Sequence, residues 1–286
     1  MVETVEIFEV GPRDGLQNEK RQISTRDKVA LVDMLSDCGF SRIEIASFVS
    51  PKWVPQMADS ADVLAGIKRR DGIRYAALTP NFRGYEGAKA AKADEIAIFA
   101  SASEGFSKAN INCTVAESIA RFEDVATAAK ADGMLMRGYI SCVTDCPFDG
   151  ATDPAAVADV AEKLLALGCY EISLGDTIGQ ATPDSIAAML KAVQQVVPAD
   201  HMAGHYHDTA GRALENIAAS LELGVRVFDA SVGGLGGCPY APGAAGNVDS
   251  GAVALMLRDG GYETGLDLDK LAAAAVFAKT LRGVHD

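Results

Sequence analysis

Eight short apolar segments rich in β-forming residues recur along the chain, and most are separated by a segment with the apolar spacing of a helix. Strands that alternate with helices predict parallel pairing through crossover connections rather than hairpins. The predicted strands cover residues 4–10, 42–48, 73–79, 94–100, 134–142, 169–175, 201–208 and 225–232. Eight such units in 286 residues predict an α/β fold, a closed (β/α)8 TIM barrel.

Helix start signals support this interpretation. Asp153 precedes Pro154 and Thr182 precedes Pro183, which are N-cap and first-turn residues, and Ser24 is expected to cap the first helix. A doubly wound open sheet is the main rival, but the first strand-to-helix turn lacks G-x-G-x-x-G. We therefore predict one catalytic domain over residues 1–286, in which residues 233–286 form a lid loop and a C-terminal helical extension.

Composition excludes several classes of protein. A formal net charge of −13 disfavours nucleic acid as a partner, and the apolar runs are shorter than the roughly 20 residues that span a bilayer, so no membrane partner is predicted. The six cysteines lack zinc-finger spacing, and the first ten residues lack the pattern of a signal peptide. These features predict a cytoplasmic protein with reduced thiols.

Polar residues follow the predicted strands at their carboxyl ends, where barrel enzymes carry their active sites. Each lies on or just after strand one, two, six, seven or eight. They are Arg13, Asp14, Glu44, Ser47, Ser173, Asp176, His205, His207 and Asn247. The cramped stretch "VGPRDGLQNEK" is good turn material on its own, but this placement favours an active-site corner.

The His-Tyr-His stretch is the sharpest local signal. Alternate residues of a strand share one face, so His205 and His207 point together while Tyr206 points away. Taken alone, this spacing is as often incidental as metal-binding. With the carboxylate of Asp14 and the amide oxygen of Asn247 it would give mixed nitrogen and oxygen ligation that suits Mg²⁺ or Mn²⁺.

The segment "SVGGLGGCPYAPGAAGN" (231–247) contains six glycines in seventeen residues and predicts a mobile loop. A phosphate cradle is one interpretation, because barrels form phosphate sites after their last two strands. A reactive thiol at Cys238 that arrives when the loop closes over the site is the other, and we favour it.

Several of these motifs resemble those of the 3-hydroxy-3-methylglutaryl-CoA (HMG-CoA) lyase family. They are "VGPRDGLQNEK", "SFVSPKWVPQM", "EISLGDTIG", "HDT" and "GGLGGCPYAPGAAGN", and the likeness runs from about residue 4 to residue 280. The glycine-rich motif is the most specific of them. The resemblance implies a carbon–carbon lyase that performs a metal-assisted retro-Claisen cleavage of HMG-CoA to acetyl-CoA and acetoacetate.

The resemblance also implies roles for individual residues. Metal ligands would be Asp14, His205, His207 and Asn247, with His205 also counted among the catalytic residues. Arg13 would meet the thioester carbonyl, with Glu44 as its support. Cys238 would transfer a proton, and Asp176 would be the acidic partner near the substrate hydroxyl. Substrate contacts would come from Gln17, Ser47, Asn110 and Ser173.

The same resemblance implies an acyl-CoA substrate, a homodimer, and a place in leucine degradation or ketone-body formation. Tyr206 departs from the family where several members have cysteine, which affects helix packing more than ligation. Alternatives are a related enzyme that joins acetyl-CoA to a 2-oxo acid, a lyase for another 3-hydroxyacyl-CoA, and an inactive binding protein. The inactive form would lack ligand or lid residues, yet all are present.

Overall fold

A computed structural model of the chain describes residues 2–237 and 246–282. Its strands are β1 (Glu6–Glu9), β2 (Arg42–Ser47), β3 (Arg74–Leu78), β4 (Glu95–Ser101), β5 (Leu135–Ser141), β6 (Asp145–Cys146), β7 (Gly150–Ala151), β8 (Glu171–Asp176), β9 (Met202–Tyr206) and β10 (Val227–Ala230). The short strands β6 and β7 pair only with each other, in an antiparallel hairpin. The other eight match the eight predicted strands, each within three residues at either end.

These eight strands close into a parallel barrel in the order β1, β10, β9, β8, β5, β4, β3, β2. Closure joins Glu6–Glu9 of β1 to Val227–Ala230 of β10. The predicted TIM barrel is therefore confirmed, and the carboxyl ends of all eight strands meet at one mouth.

Helices follow the barrel strands along the chain. They are α1 (Thr25–Ser36), α2 (Ser60–Gly66), α3 (Phe82–Ala90), α4 (Glu104–Ile111), α5 (Val115–Ala120), α6 (Glu123–Asp132), α7 (Pro154–Ala166), α8 (Pro183–Val193), α9 (Ala213–Glu222), α10 (Ser250–Asp259) and α11 (Leu268–Leu281). The last two confirm the predicted C-terminal helical extension. No helix in the described part of the chain has the length and hydropathy of a membrane span.

Helix starts follow the predicted capping chemistry. Ser24 accepts a hydrogen bond from the Asp27 amide, and Asp153 accepts one from Ala155. Thr182 forms a capping box with Ser185. Such caps each contribute about 1 kcal/mol to stability, so local sequence fixes where these crossover helices begin.

The spacing of Leu214, Ile217, Ala218 and Leu221 predicts that these apolar residues form the buried face of helix α9, and the structure differs at two of them. Leu214 is half-buried and Ala218 is exposed, whereas Asn216 and Ser220 are buried against the barrel. The reason is hydrogen bonding: the Ser220 hydroxyl meets the Tyr206 hydroxyl at 2.9 Å, and Asn216 donates to the Ala181 carbonyl. Tyr206 faces this helix, as predicted.

Candidate metal centre and active site

The stretch Gly11–Gly15 forms one turn of π-helix at the end of β1. The amides of Arg13, Asp14 and Gly15 all point to the Val10 carbonyl, which is a wider winding than that of a β-turn. Single π-helical turns are frequent at functional sites. This turn places two adjacent charged residues at the barrel mouth.

The two glycines that bracket the turn are required by close packing. A Cβ atom on Gly11 would lie 2.5 Å from Oε1 of Glu9. On Gly15 it would lie 2.7 Å from the Cβ atom of Leu235 and 2.8 Å from the Ser231 hydroxyl. The turn therefore packs directly against the segment that follows β10.

Arg13 is almost fully buried and is held by two carboxylates. Its Nε donates to Glu44 at 2.6 Å, and its Nη1 donates to Asp14 at 2.6 Å. Burial alone would lower the pKa of Arg13, but the neighbouring carboxylates of Glu44 and Asp14 raise it. The guanidinium therefore stays charged, and Glu44 lies in direct contact with it.

Side chains of successive residues are expected to diverge, so the sequence predicts that Arg13 and Asp14 point apart, and this prediction is wrong. The side chains form an ion pair instead, because the wide turn directs both into the barrel mouth. Burial would raise the pKa of Asp14, but Arg13 and the nearby histidines lower it. Asp14 is therefore an anion at neutral pH.

Asp14, His205 and His207 form a cluster suited to a metal ion. Each offers one ligand atom, and these three atoms lie within 4.8 Å of one another. The imidazoles face each other with ring centroids 5.3 Å apart, at the end of β9 and just beyond it. Asp14 and the two histidines, which are about 190 positions apart in the sequence, thus come together.

His205 is oriented from below by Asp229 on β10. Its Nδ1 lies 3.1 Å from Oδ2 of Asp229, so this nitrogen carries the proton and Nε2 is left to bind a cation. Burial lowers the pKa of His205, but Asp229 and Asp14 raise it by more, so its pKa lies above the ordinary value. A ligand imidazole bonded to a carboxylate is the usual arrangement around protein-bound metals.

His207 provides a direct test of whether a cation fits. Its Nδ1 is buried and makes no hydrogen bond of ordinary geometry within the described residues, although the Thr177 backbone lies nearby. Burial and the neighbouring His205 lower its pKa to about 4. A neutral imidazole beside a carboxylate and a second imidazole is suited to bind a divalent cation.

Two predicted residues surround Asp14. Gln17 donates to its Oδ1 at 2.8 Å, and Asn247 donates to its Oδ2 at 2.7 Å. Asn247 also pairs with His207 in an isolated β-bridge. The Asn247 side chain thus lies at the cluster with its amide nitrogen towards Asp14, and its role as an oxygen ligand stays a prediction.

Asp176 is not brought into this cluster. It aligns with Tyr206 in the register between β8 and β9, so its side chain leaves the sheet on the same side as Tyr206. Its carboxylate accepts hydrogen bonds from the amides of Gln180 and Ala181. Burial raises the pKa of Asp176 to about 6.

The predicted substrate contacts are dispersed. Ser173 is buried within the barrel and donates to Asp229 at 2.8 Å. Ser47 is buried at the end of β2, and Asn110 lies on the exposed side of α4. Cys238, the predicted reactive thiol, lies outside the described residues.

Sequence reasoning missed the residues that lie under the cluster. Asp229 and Arg137 form a bidentate ion pair, with separations of 2.9 and 2.7 Å. Tyr139 donates to Glu44 at 3.0 Å and contacts His205 through its ring. One available signal was a charged residue at a barrel-facing position of an apolar strand, as in "MLMRGYISC" and "VRVFDASV".

Comparisons with known proteins agree with this geometry. A model of the HMGL-like family matches residues 4–277. The mitochondrial hydroxymethylglutaryl-CoA lyase of Bos taurus is 55% identical over 96% of this chain and 84% of its own. The 3-hydroxy-3-isohexenylglutaryl-CoA/hydroxy-methylglutaryl-CoA lyase of Pseudomonas aeruginosa is 54% identical over 94% and 90%. The crystal structure of the HMG-CoA lyase from Brucella melitensis superimposes with a TM-score of 0.97, at 65% identity, over 99% of this chain and 100% of the other.

Proposed function

Because the chain belongs to the HMGL-like family, we propose that it cleaves 3-hydroxy-3-methylglutaryl-CoA to acetyl-CoA and acetoacetate. It is thus a carbon–carbon lyase, like the relatives that share its full length. The observation that carries the proposal is the cluster of Asp14, His205 and His207 beside the buried guanidinium of Arg13. This arrangement pairs a cation site with a fixed positive charge at one barrel mouth.

The reaction has two chemical requirements. The tertiary hydroxyl at C3 must lose its proton while the C2–C3 bond breaks, so that C3 becomes the ketone carbonyl of acetoacetate. The electron pair of that bond passes to the thioester fragment, which leaves as an enolate and takes a proton at carbon to give acetyl-CoA. Catalysis therefore needs an acceptor for the hydroxyl proton, stabilisation of the negative charge as it passes from the hydroxyl oxygen to the enolate, and a proton donor for the enolate carbon.

Asp14, His205, His207 and Asn247 would hold the cation, Mg²⁺ or Mn²⁺. When bound, such an ion lowers the pKa of a coordinated hydroxyl and orients the oxygens of the substrate. Supporting observations are the three ligand atoms of Asp14, His205 and His207 within 4.8 Å of one another and the carboxylate that orients His205. These side chains therefore fit a divalent cation.

Arg13 would donate to the thioester oxygen as it becomes an enolate. Its raised pKa keeps the guanidinium cationic, and Glu44 holds it in place through two short contacts of 2.6 and 2.5 Å. A donor that is already aligned in a buried site needs no reorganisation during the reaction. Substituting one such donor lowers kcat by about 10²–10³-fold in other enzymes.

Other predicted roles remain part of the proposal. Cys238 would supply the proton to the enolate carbon, Gln17 would keep Asp14 oriented, and Ser47 and Asn110 would border the ligand. Asp176 and Ser173 were predicted to touch substrate, but their contacts favour indirect roles. Asp176 fixes the loop after β8 through Gln180 and Ala181, and Ser173 fixes Asp229.

An assay of the purified protein tests the proposal. HMG-CoA is supplied after chelation of metals, then with added Mg²⁺ or Mn²⁺, and acetoacetate is measured. We expect cleavage only with added cation, and a loss of at least 10²-fold in Asp14→Asn, which keeps the shape of the side chain but removes its charge. Absence of acetoacetate with every cation would contradict the proposal.

Cys238→Ala is expected to bind Mn²⁺ as the parent does and to lose most of kcat, because the thiol is assigned to proton transfer and not to ligation. Single-turnover kinetics and Mn²⁺ titration on the same sample separate the two effects. A variant with near-normal kcat would remove this thiol from the mechanism.

A second substrate is favoured by one relative, which is named for cleavage of the isohexenyl homologue of HMG-CoA as well. The same assay with 3-hydroxy-3-isohexenylglutaryl-CoA tests whether this chain shares that range. A kcat/KM that exceeds the value for HMG-CoA would reassign the main substrate.

A cytoplasmic location, a homodimer and a role in leucine degradation complete the proposal. The five described cysteines are unbonded, as expected for a reducing compartment. The homodimer rests on family analogy, and light scattering of the purified protein would test it.

A further inference from the structure

A chain of buried ion pairs runs through the barrel interior towards the cation site. It consists of Arg42, Glu171, Arg137 and Asp229, which we call the ion-pair chain. Glu171 accepts from both nitrogens of the Arg42 fork at 3.0 and 3.1 Å and from Nε of Arg137 at 2.5 Å. All four side chains are at least nine-tenths buried. Charges alternate in sign along it, which makes burial of each one tolerable.

Asp229 is the last member of the ion-pair chain, and its two carboxylate oxygens accept different hydrogen bonds. Oδ1 accepts from Nη2 of Arg137 at 2.7 Å. Oδ2 accepts from Nη1 of Arg137 at 2.9 Å, from the Ser173 hydroxyl at 2.8 Å, and lies 3.1 Å from Nδ1 of His205. A bidentate arginine fixes the plane of a carboxylate, whereas a single contact leaves it free to rotate.

We propose that Arg137 is a positioning residue for the cation site: by fixing the plane of Asp229, it holds His205 with the proton on Nδ1 and with Nε2 directed at Asp14 and His207. This inference rests on the cation-binding part of the proposed function. Arg137 makes no ion pair with any of the three ligands; it reaches His205 through Asp229, and its guanidinium also lies 4.9 Å from the centre of the Tyr139 ring, which packs on His205. Its effect should therefore appear first in cation affinity.

The other end of the ion-pair chain provides a matched control. Arg42 is also buried, forks onto the carboxylate of Glu171 as Arg137 forks onto that of Asp229, and also packs on the Phe8 ring, at 4.8 Å against 4.5 Å for Arg137. Its remaining ion pair is with Glu6, at the opposite end of the barrel from the cluster. Arg42→Lys therefore weakens the same kind of contact without reaching Asp229.

The test compares Arg137→Lys with Arg42→Lys. Lysine keeps the positive charge but cannot form the fork. Mn²⁺ is titrated by calorimetry into each folded protein, and thermal unfolding is followed on the same samples. We expect both variants to lose stability and only Arg137→Lys to lose Mn²⁺ affinity, by about 10–100-fold, the usual effect of disturbing a residue that orients a metal ligand.

A second measurement covers the case in which Arg137→Lys does not fold. Asp229→Asn keeps the size of the side chain, and the chain contains only four histidines, so ¹⁵N NMR at alkaline pH can report the neutral tautomer of His205. We expect Nδ1–H in the parent and a shifted or mixed tautomer in Asp229→Asn. A purely structural role for the ion-pair chain would leave this signal unchanged.

Equal Mn²⁺ affinity in Arg137→Lys and Arg42→Lys, or a parent that binds no divalent cation, would overturn the inference. A parent that binds Mn²⁺ but does not cleave HMG-CoA, with weaker binding in Arg137→Lys alone, would support it while contradicting the proposed function. The two proposals can thus fail separately.

Discussion

Glu9 on β1 is a buried carboxylate whose ionisation is set by its surroundings. Its Oε1 accepts from the amides of Gly11 and Val232, at 2.8 and 2.9 Å, and its Oε2 accepts from the Ser250 hydroxyl at 2.6 Å. Burial raises the pKa of Glu9 to about 7, against the hydrogen bonds that lower it. This residue joins the active-site turn to Val232, at the start of the glycine-rich segment, and to Ser250, just beyond its end.

Glu9→Gln tests this ionisation. The folded protein binds the Glu9 proton more tightly than the unfolded chain, so the free energy of unfolding falls as pH rises between about 4.5 and 7 and stays lowered above 7. Glutamine keeps the acceptor oxygen and carries no charge. Thermal unfolding at a series of pH values should show the free energy of unfolding of the variant rising relative to that of the parent as pH increases, by at most about 3 kcal/mol.

Glu162→Gln, on the exposed face of α7, is the control and should follow the parent at every pH. A constant stability difference between Glu9→Gln and the parent across this range would show that Glu9 does not titrate there.

The sequence could predict the cluster residues because each stands at a strand end or shares a strand face. The structure brings Asp14, His205 and His207 together, and Asn247 donates to Asp14, while their role as metal ligands stays a prediction. It could not predict Arg137 or Asp229, since strand periodicity marks an inward position without telling whether a charge there finds a buried partner. Nor could it predict that Arg13 and Asp14 touch, because that depends on the π-helical winding.

At the scale of elements, the strands and the N-caps of the helices were predictable, whereas the hydrogen-bond partners of buried side chains were not. Apolar runs located the barrel strands, and Ser24, Asp153 and Thr182 located helix starts. The hairpin of β6 and β7 was missed because two-residue strands carry no periodic signal. The buried face of α9 was misplaced because hydrogen bonds to Asn216 and Ser220 decide it.

Gly15→Ala tests the π-helical turn as an element. A methyl group there would overlap Leu235 and Ser231, so the turn must move and carry Asp14 with it. We expect a stability loss of about 1–3 kcal/mol and a kcat/KM lowered at least tenfold, measured by thermal unfolding and the acetoacetate assay. Gly260→Ala meets only ordinary contacts of 3.4 Å and should change neither. Full activity in Gly15→Ala would contradict the packing argument.

At the scale of the whole molecule, closure of the barrel creates the site. Asp14 follows β1 and His205 ends β9, and β10 alone separates those strands. The net charge of −13 gives no indication of a buried arginine at the mouth, because the local field in a cleft depends on nearby groups. The fold could therefore be predicted from the repeated strand–helix units, whereas the charges around the site could be assigned only from the three-dimensional structure.

The central claim is that Asp14, His205 and His207 bind one divalent cation at the barrel mouth. Anomalous diffraction from a crystal of the protein soaked in Mn²⁺ tests it directly, because the signal locates the ion without reference to activity. We predict one strong peak within ligand distance of these three side chains. A peak elsewhere, with these side chains still paired only to protein groups, would contradict the account.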